Sequence, residues 1–270
     1  MTTPNALTDL NMLRLHRARA SAFFLQEAAA DEVQDRLLLV NRPFTKPAIV
    51  TPFPQVWASR MPDATFCPDG HILDLSTDAH DLIIHAMGLH WANDPVGQLI
   101  QCRHALKSDG LLIVATLGGQ TLEELRSCLG QAEIALTGGL SPRVVPMGEI
   151  RDLGALLQRA GLALPVADVF SLTVEYNDMW HLMRDLRAMG ESNALQARQR
   201  RYTSRQVFEQ ASQHYSEHFA ASEERIKATF EMVFLTGWAP DDSQQKPLRP
   251  GSAKQRLADA LAVPETPLSD

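Results

Sequence analysis

Two histidines five positions apart, His85 and His90, and the tryptophan beside the second, Trp91, are the residues whose types come nearest to chemistry. An odd offset puts the two imidazoles on opposite faces of an ideal strand. Shared metal ligation is therefore not expected, no metal site is assigned, and each ring reads as a pocket-edge or core histidine. Trp91 fits a cap over a ligand or ordinary core packing. Asp74 and Asp78 fit a pair of acids or a solvated loop. Gly118-Gly119, between an apolar run and Thr121, fit either an anion cradle at a helix start or a tight turn. No Ser/His/Asp or Cys/His set can be assigned from spacing, so the catalytic residues are unknown at this level.

The 270 residues suffice for one generous domain with a sizeable core. A 45% hydrophobic and 21% charged composition is that of a globular protein. The net charge of −7 and pI near 5.7 argue against a nucleic-acid partner, which needs a basic surface. Arg198, Arg200, Arg201 and Arg205 form a local basic run that reads as a solvated face. Cys67, Cys102 and Cys128 are scattered, with no CxxC pair, which suits a reducing compartment. Apolar runs are strand-sized, so no transmembrane segment is expected, and no signal-peptide core follows Arg14, Arg17 and Arg19. A cytoplasmic protein is the expectation.

These side chains must be held by elements that hydrophobic spacing suggests. Leu7 to Leu39 reads as one helix, without Gly or Pro. A Pro-rich stretch surrounds Ala48-Ile49-Val50, a short buried strand. Leu82-Ile83-Ile84 starts a strand running on to Trp91, and Asn93 or Asp94 caps a helix with Pro95 in its first turn. Ser108-Asp109-Gly110 is a turn, and Leu111 to Ala115 a strand buried on both faces. Thr121 with Glu124 matches a capping box. A helix is expected over 147–160, a strand over 166–176, a helix carrying Trp180 to Met189, and a final strand over 229–238. The stretch 192–215 is polar and unassigned, and a short helix is expected near Arg256 to Leu261. Strand, helix, strand, helix is the rhythm of an open parallel sheet.

Several runs carry a resemblance. Asp81 to Ile84, Leu89 to Asp94 and Ala105 to Gly110 resemble the fourth strand, next helix and fifth strand of class I methyltransferases. Gly118 to Arg126, Gly138 to Pro142, Asp185 to Glu191 and Phe230 to Pro240 look like one branch of them. That branch contains the mitochondrial complex I assembly factor of methyltransferase type and its bacterial relatives, akin to the biotin-pathway malonyl-carrier methyltransferases. The resemblance implies an α/β fold with a doubly wound, mainly parallel sheet. It divides the chain into an N-terminal helical segment, 1–42, packing on a methyltransferase-like domain, 43–240, and a loosely ordered tail, 241–270.

The same resemblance implies a glycine loop after the first strand to hold S-adenosylmethionine, where backbone N–H groups approach the ligand. Here no glycine precedes Gly70, and Thr51-Pro52-Phe53-Pro54-Gln55 follows the strand, with two positions lacking an N–H. Only thirty residues, Thr51 to His80, precede Asp81, where the full fold needs roughly 50. The fold is thus expected to be truncated between strands one and four. Asp69 or Asp74 are the stand-ins for the ribose-binding acid, and with His85, Gly88, His90 and Trp91 they make up the expected residual pocket. The resulting expectation is a binding or assembly module with a protein partner, in respiratory complex assembly, that does not bind S-adenosylmethionine. The alternative is an active methyltransferase with an altered cofactor loop. A third reading is other chemistry, since a member of the branch hydroxylates an arginine of a complex I subunit.

Overall fold

Uninterrupted apolar runs, buried on both faces, build the middle of the sheet. The structure, a computed structural model, describes residues 6–221 and 224–245. Its strands are β1 (Pro47–Val50), β2 (Thr65–Cys67), β3 (His80–Ala86), β4 (Leu106–Gly118), β5 (Ala163–Tyr176) and β6 (Ile226–Trp238). They form one sheet in the order β2-β1-β3-β4-β6-β5. The first four are mutually parallel, and β6 runs antiparallel to both its neighbours. Leu82 faces Leu111 and Ile84 faces Ile113 across the central pair. This is the doubly wound Rossmann-like methyltransferase architecture.

The helices are α1 (Leu10–Arg17), α2 (Phe24–Val40), α3 (Pro54–Trp57), α4 (Pro95–Ala105), α5 (Glu123–Thr137), α6 (Ile150–Arg159), α7 (Met179–Ala188) and α8 (Arg205–His218). Strand side chains alternate, and the two cores divide accordingly. Leu82, Ile84, Ile113, Phe230, Met232 and Phe234 meet α2, α5, α7 and α8. Ile83, Leu112, Val114, Val233 and Leu235 meet Leu99 and Cys102 of α4 and Leu157 of α6. Phe230, Met232 and Phe234 lie together on one face, each 0% exposed, as their spacing predicts.

Between β1 and β3 stand only the four residues of α3 and the three of β2. The expected shortening of this region is therefore present. Four local expectations are corrected. The single helix over 7–39 is two, because Ser21 and Ala22 donate their N–H groups to Ala188 O and Phe23 packs edge-on against Phe53. Tertiary bonds win there over helix propensity. The strand expected to reach Trp91 stops at Ala86: Met87 turns to φ 53°, and Leu89–Trp91 is a 3-10 turn.

Thr121 and Glu124 do not form a capping box. Leu122 precedes α5 with φ 56°, while Thr121 Oγ1 donates to Gly118 O (2.8 Å) and accepts from Glu231 N (2.9 Å). Glu124 accepts from Thr229 Oγ1 at 2.6 Å. Both residues fasten α5 to β6 instead. The turn at 108–110 is a bulge inside β4, with Asp109 at φ 58°. Asp94, rather than Asn93, caps α4 through Gly97 N (2.8 Å), while Asn93 binds the backbone of Thr8. The polar stretch 192–215 contains most of α8. By compactness the chain falls into two units, Met1–Pro240 and Asp241–Asp270. Most of the second unit, with the helix expected near 256–261, lies outside the described residues.

Candidate functional site

Open parallel sheets carry their ligands beyond the carboxyl ends of the strands, and the residues expected to form a pocket gather there. His85 is the penultimate residue of β3, Gly88 follows the strand, and His90 and Trp91 lie in the 3-10 turn. Pro95 at the first helical position and the Asp94 cap start α4 directly afterwards, which fixes the turn between two rigid elements. His85 is fully buried, with its Nε2 2.8 Å from Gln98 Oε1. Gln98 in turn donates to Gly70 O at 2.8 Å, so its oxygen faces the imidazole and His85 Nε2 is the donor. Burial pushes the His85 pKa down, against the Gln98 bond and the nearby Asp69 charge.

Asp69, on the loop after β2, points at this turn. Its carboxylate accepts two bonds from Arg17 Nη1, at 3.0 and 2.7 Å, with side chains 11% and 9% exposed. A Cβ on residue 88 would overlap that carboxylate, so glycine is needed there for close approach rather than for its φ. Asp69, Gly88 and Trp91 line a cavity of about 20 Å³ with Leu10, Leu13 and Gln98, room for about one water. Asp74 is exposed, stands beside Cys67 and does not join them.

His90 and Trp91 converge on a residue that spacing did not single out. Trp91 Nε1 donates to Glu191 Oε2 at 2.6 Å, and His90 Nε2 lies 3.2 Å from the same oxygen. Thr116 Oγ1 is 3.4 Å from His90 Nδ1. Burial drives the Glu191 pKa up, but the charges and bonds of His90, Arg17 and Trp91 outweigh it and hold the carboxyl below the ordinary glutamate range. Thr116, His90, Glu191 and Trp91 thus form a nearly dry polar chain at the ends of β3 and β4. Arg17 and Glu191 were invisible to spacing because Arg17 lies 52 positions from Asp69 and Glu191 lies 100 from Trp91. Glu191 does sit in the Asp185–Glu191 run that carries the family resemblance.

The other candidates resolve in different ways. Beside Gly119 (φ 52°) an anion is indeed held, but it is the chain's own: Glu231 Oε2 accepts from Gln120 N at 2.9 Å. After β1, where a glycine loop would stand, Thr51 Oγ1 accepts from Phe53 N (3.1 Å), and Phe53 is 3% exposed. Among the described residues one trio has metal-ligating atoms mutually within 4.8 Å, His214, Glu217 and His218 on the outer face of α8. It is remote in sequence from every residue expected to form the pocket.

A second and larger cavity, of about 230 Å³, opens on the far side of Trp91 and Glu191. Leu117, Leu125, Leu129 and Phe230 form its floor, and Met183, Phe208 and Arg187 stand on its wall and rim. Sequence spacing gave no sign of it, because its lining comes from seven separated stretches of chain.

With this geometry in view, the likenesses to known proteins can be placed. No protein-family model matches the chain. Relatives of two kinds are among its homologues. Arginine-hydroxylase NDUFAF5, mitochondrial, is 43% identical over 66% of this chain and 41% of the relative in Dictyostelium discoideum. In Danio rerio the figures are 37%, 76% and 64%. Malonyl-[acyl-carrier protein] O-methyltransferase of Laribacter hongkongensis is 34% identical, over 70% of this chain and 61% of that one. The chain thus spans less than two thirds of these relatives' length. Solved structures similar to it include Burkholderia thailandensis 1,6-didemethyltoxoflavin-N1-methyltransferase, at 13% identity and TM-score 0.44, over 89% of this chain and 94% of that one.

The relatives agree with the resemblance read from sequence: the chain is similar to NDUFAF5 and to malonyl-[acyl-carrier protein] O-methyltransferase. The expectation of a cytoplasmic location is overturned, since the NDUFAF5 relatives are mitochondrial proteins by name. Charge, buried free cysteines and the lack of an apolar span cannot separate one reducing compartment from another. Among the described residues no helix is long and apolar enough to cross a membrane.

Proposed function

We propose that this chain is a non-catalytic member of the methyltransferase lineage, a protein-binding module in respiratory complex assembly that does not use S-adenosylmethionine. The observation carrying this reading is the cavity of about 20 Å³ beside Asp69 and Gly88, where small-molecule sites ordinarily need about 300 Å³ or more. Three further features of the chain support the reading. Arg17 of α1 neutralises Asp69, the stand-in for the ribose-binding acid; Phe53 is buried where a glycine loop would turn; and Pro52 and Pro54 offer no N–H. In this reading 1–42 is a plug on the body formed by 43–240, and 241–270 is a tail. The homology to NDUFAF5 supports the assembly role and a protein partner.

Each unmatched buried polar group costs about 1–3 kcal/mol, so two lost contacts weaken a micromolar site by roughly 30-fold to more than 10⁴-fold. Calorimetric titration with S-adenosylmethionine is therefore expected to give a dissociation constant no tighter than about 30 μM. A dissociation constant near or under about 10 μM, or cofactor carried through purification, would overturn the reading. The polar chain of Thr116, His90, Glu191 and Trp91 favours a second reading, an enzyme with an altered cofactor loop. In that event Asp69, Asp74, His85, Gly88, His90 and Trp91 are the positions to substitute first.

A further inference from the structure

The cavity of about 230 Å³ differs in kind from the plugged space behind it. Its floor is core: Leu117, Leu125, Leu129 and Phe230 are at most 5% exposed, so the cavity reaches down to the sheet between β4, α5 and β6. An engineered apolar cavity of about 150 Å³ stays dry and takes up benzene. A larger one with this lining is a receptacle for hydrocarbon. Met147 and Met183 on its sides have flexible thioether chains that adapt to a variable occupant.

The polar side chains of its lining are few, and most are already committed. Arg143 pairs with Glu133 at 2.8 Å and lies over the Phe208 ring. Glu191 is taken by Trp91 and His90, and Asn193 donates to Pro142 O. Arg187 is different. It stands exposed at the rim of the cavity, and its guanidinium has no ion-pair partner among the described residues. An apolar bore with one uncommitted cation at its mouth matches a ligand with a hydrocarbon tail and an anionic head.

We propose that this cavity binds an unbranched fatty carboxylate of about eight or nine carbons, at about 30 Å³ per water-sized group of the tail. Its tail lies on Leu125, Leu129 and Phe230, and its carboxylate meets Arg187. The proposal gives the binding module a ligand and so deepens that reading, but it does not depend on the cofactor site being closed.

The experiment is a chain-length series, hexanoate to tetradecanoate, titrated into the full chain by calorimetry, with and without S-adenosylmethionine. A buried methylene is worth about fourfold in affinity, so octanoate should bind about 15-fold more tightly than hexanoate. The gain should cease near decanoate, where the bore is full. Methyl octanoate and the Arg187→Glu variant with octanoate should each bind about tenfold more weakly, the value of one charge-assisted bond.

Met183→Trp and Val144→Trp, at partly exposed positions of the lining, should abolish binding while melting within a few degrees of the parent. Affinity that is flat with chain length overturns the proposal, and so does octanoate binding untouched by both tryptophans. Equal binding of the ester removes the assigned head-group contact and overturns it in that form. A signal from S-adenosylmethionine itself would overturn the preceding reading instead, leaving this series to decide on its own terms.

Discussion

Glu191 is a carboxylate almost out of water that accepts from Trp91 and faces His90 and Arg17. Removing one partner of a buried pair costs about 3–5 kcal/mol, so Glu191→Ala should lose about that much in urea denaturation at pH 7. Its pH dependence has a definite sign. A carboxyl whose folded pKa lies below its ordinary value of 4.5 contributes stability above that value. The contribution is lost as pH falls through the lower, folded pKa. Wild type should therefore lose stability more steeply than Glu191→Ala below about pH 4.5. Parallel curves would show that Glu191 titrates in the fold as it does in the unfolded chain.

At the scale of elements, two kinds of site should respond differently. Phe234 of β6 is 0% exposed, and Arg36 lies 3.8 Å over its ring. Phe234→Ala empties the middle of the sheet and should cost about 3–5 kcal/mol, seen as a drop in the denaturation midpoint with unchanged slope. Asp94→Ala removes only the cap of α4 and should cost about 1 kcal/mol. Asn93→Ala should affect Thr8 and its neighbours rather than α4, since the Asn93 side chain bonds to Thr8. Amide exchange at Gly97 and Gln98 separates the two variants: it should quicken in Asp94→Ala and hold in Asn93→Ala.

Across the whole molecule, α1 is the strap that binds the ends of the sheet to the stretch beyond α7. Asp9 N donates to Ala194 O, Arg198 pairs with Asp9 at 2.9 Å, His16 meets Ser192 O, and Arg17 holds Asp69. Deleting residues 1–19 should speed amide exchange at 88–94 and 190–195, by about tenfold for each 1.4 kcal/mol of lost contact. The amides of β3 and β4 should stay protected, because their bonds lie within the sheet. Loss of protection throughout would mean that α1 folds with the core as a single cooperative unit.

Hydrophobic spacing by itself determined the central strands, their adjacency and the face shared by Phe230, Met232 and Phe234, because side-chain alternation is local and the demand for cover on both faces follows from composition. The shortage of residues between Thr51 and His80 likewise foretold a shortened sheet. The family resemblance named Asp69, Gly88 and Trp91 together, and they line one cavity, while Asp74 is exposed and does not line it. What tertiary structure alone decided is which distant groups meet. Arg17 on Asp69, Glu191 under Trp91 and Glu231 beside Gly119 are pairs separated by 52, 100 and 112 positions or so. No periodic signal reaches that far. The break after α1 and the lost capping box arose in the same way, since a hydrogen bond offered by another element outweighed a local preference worth about 1 kcal/mol.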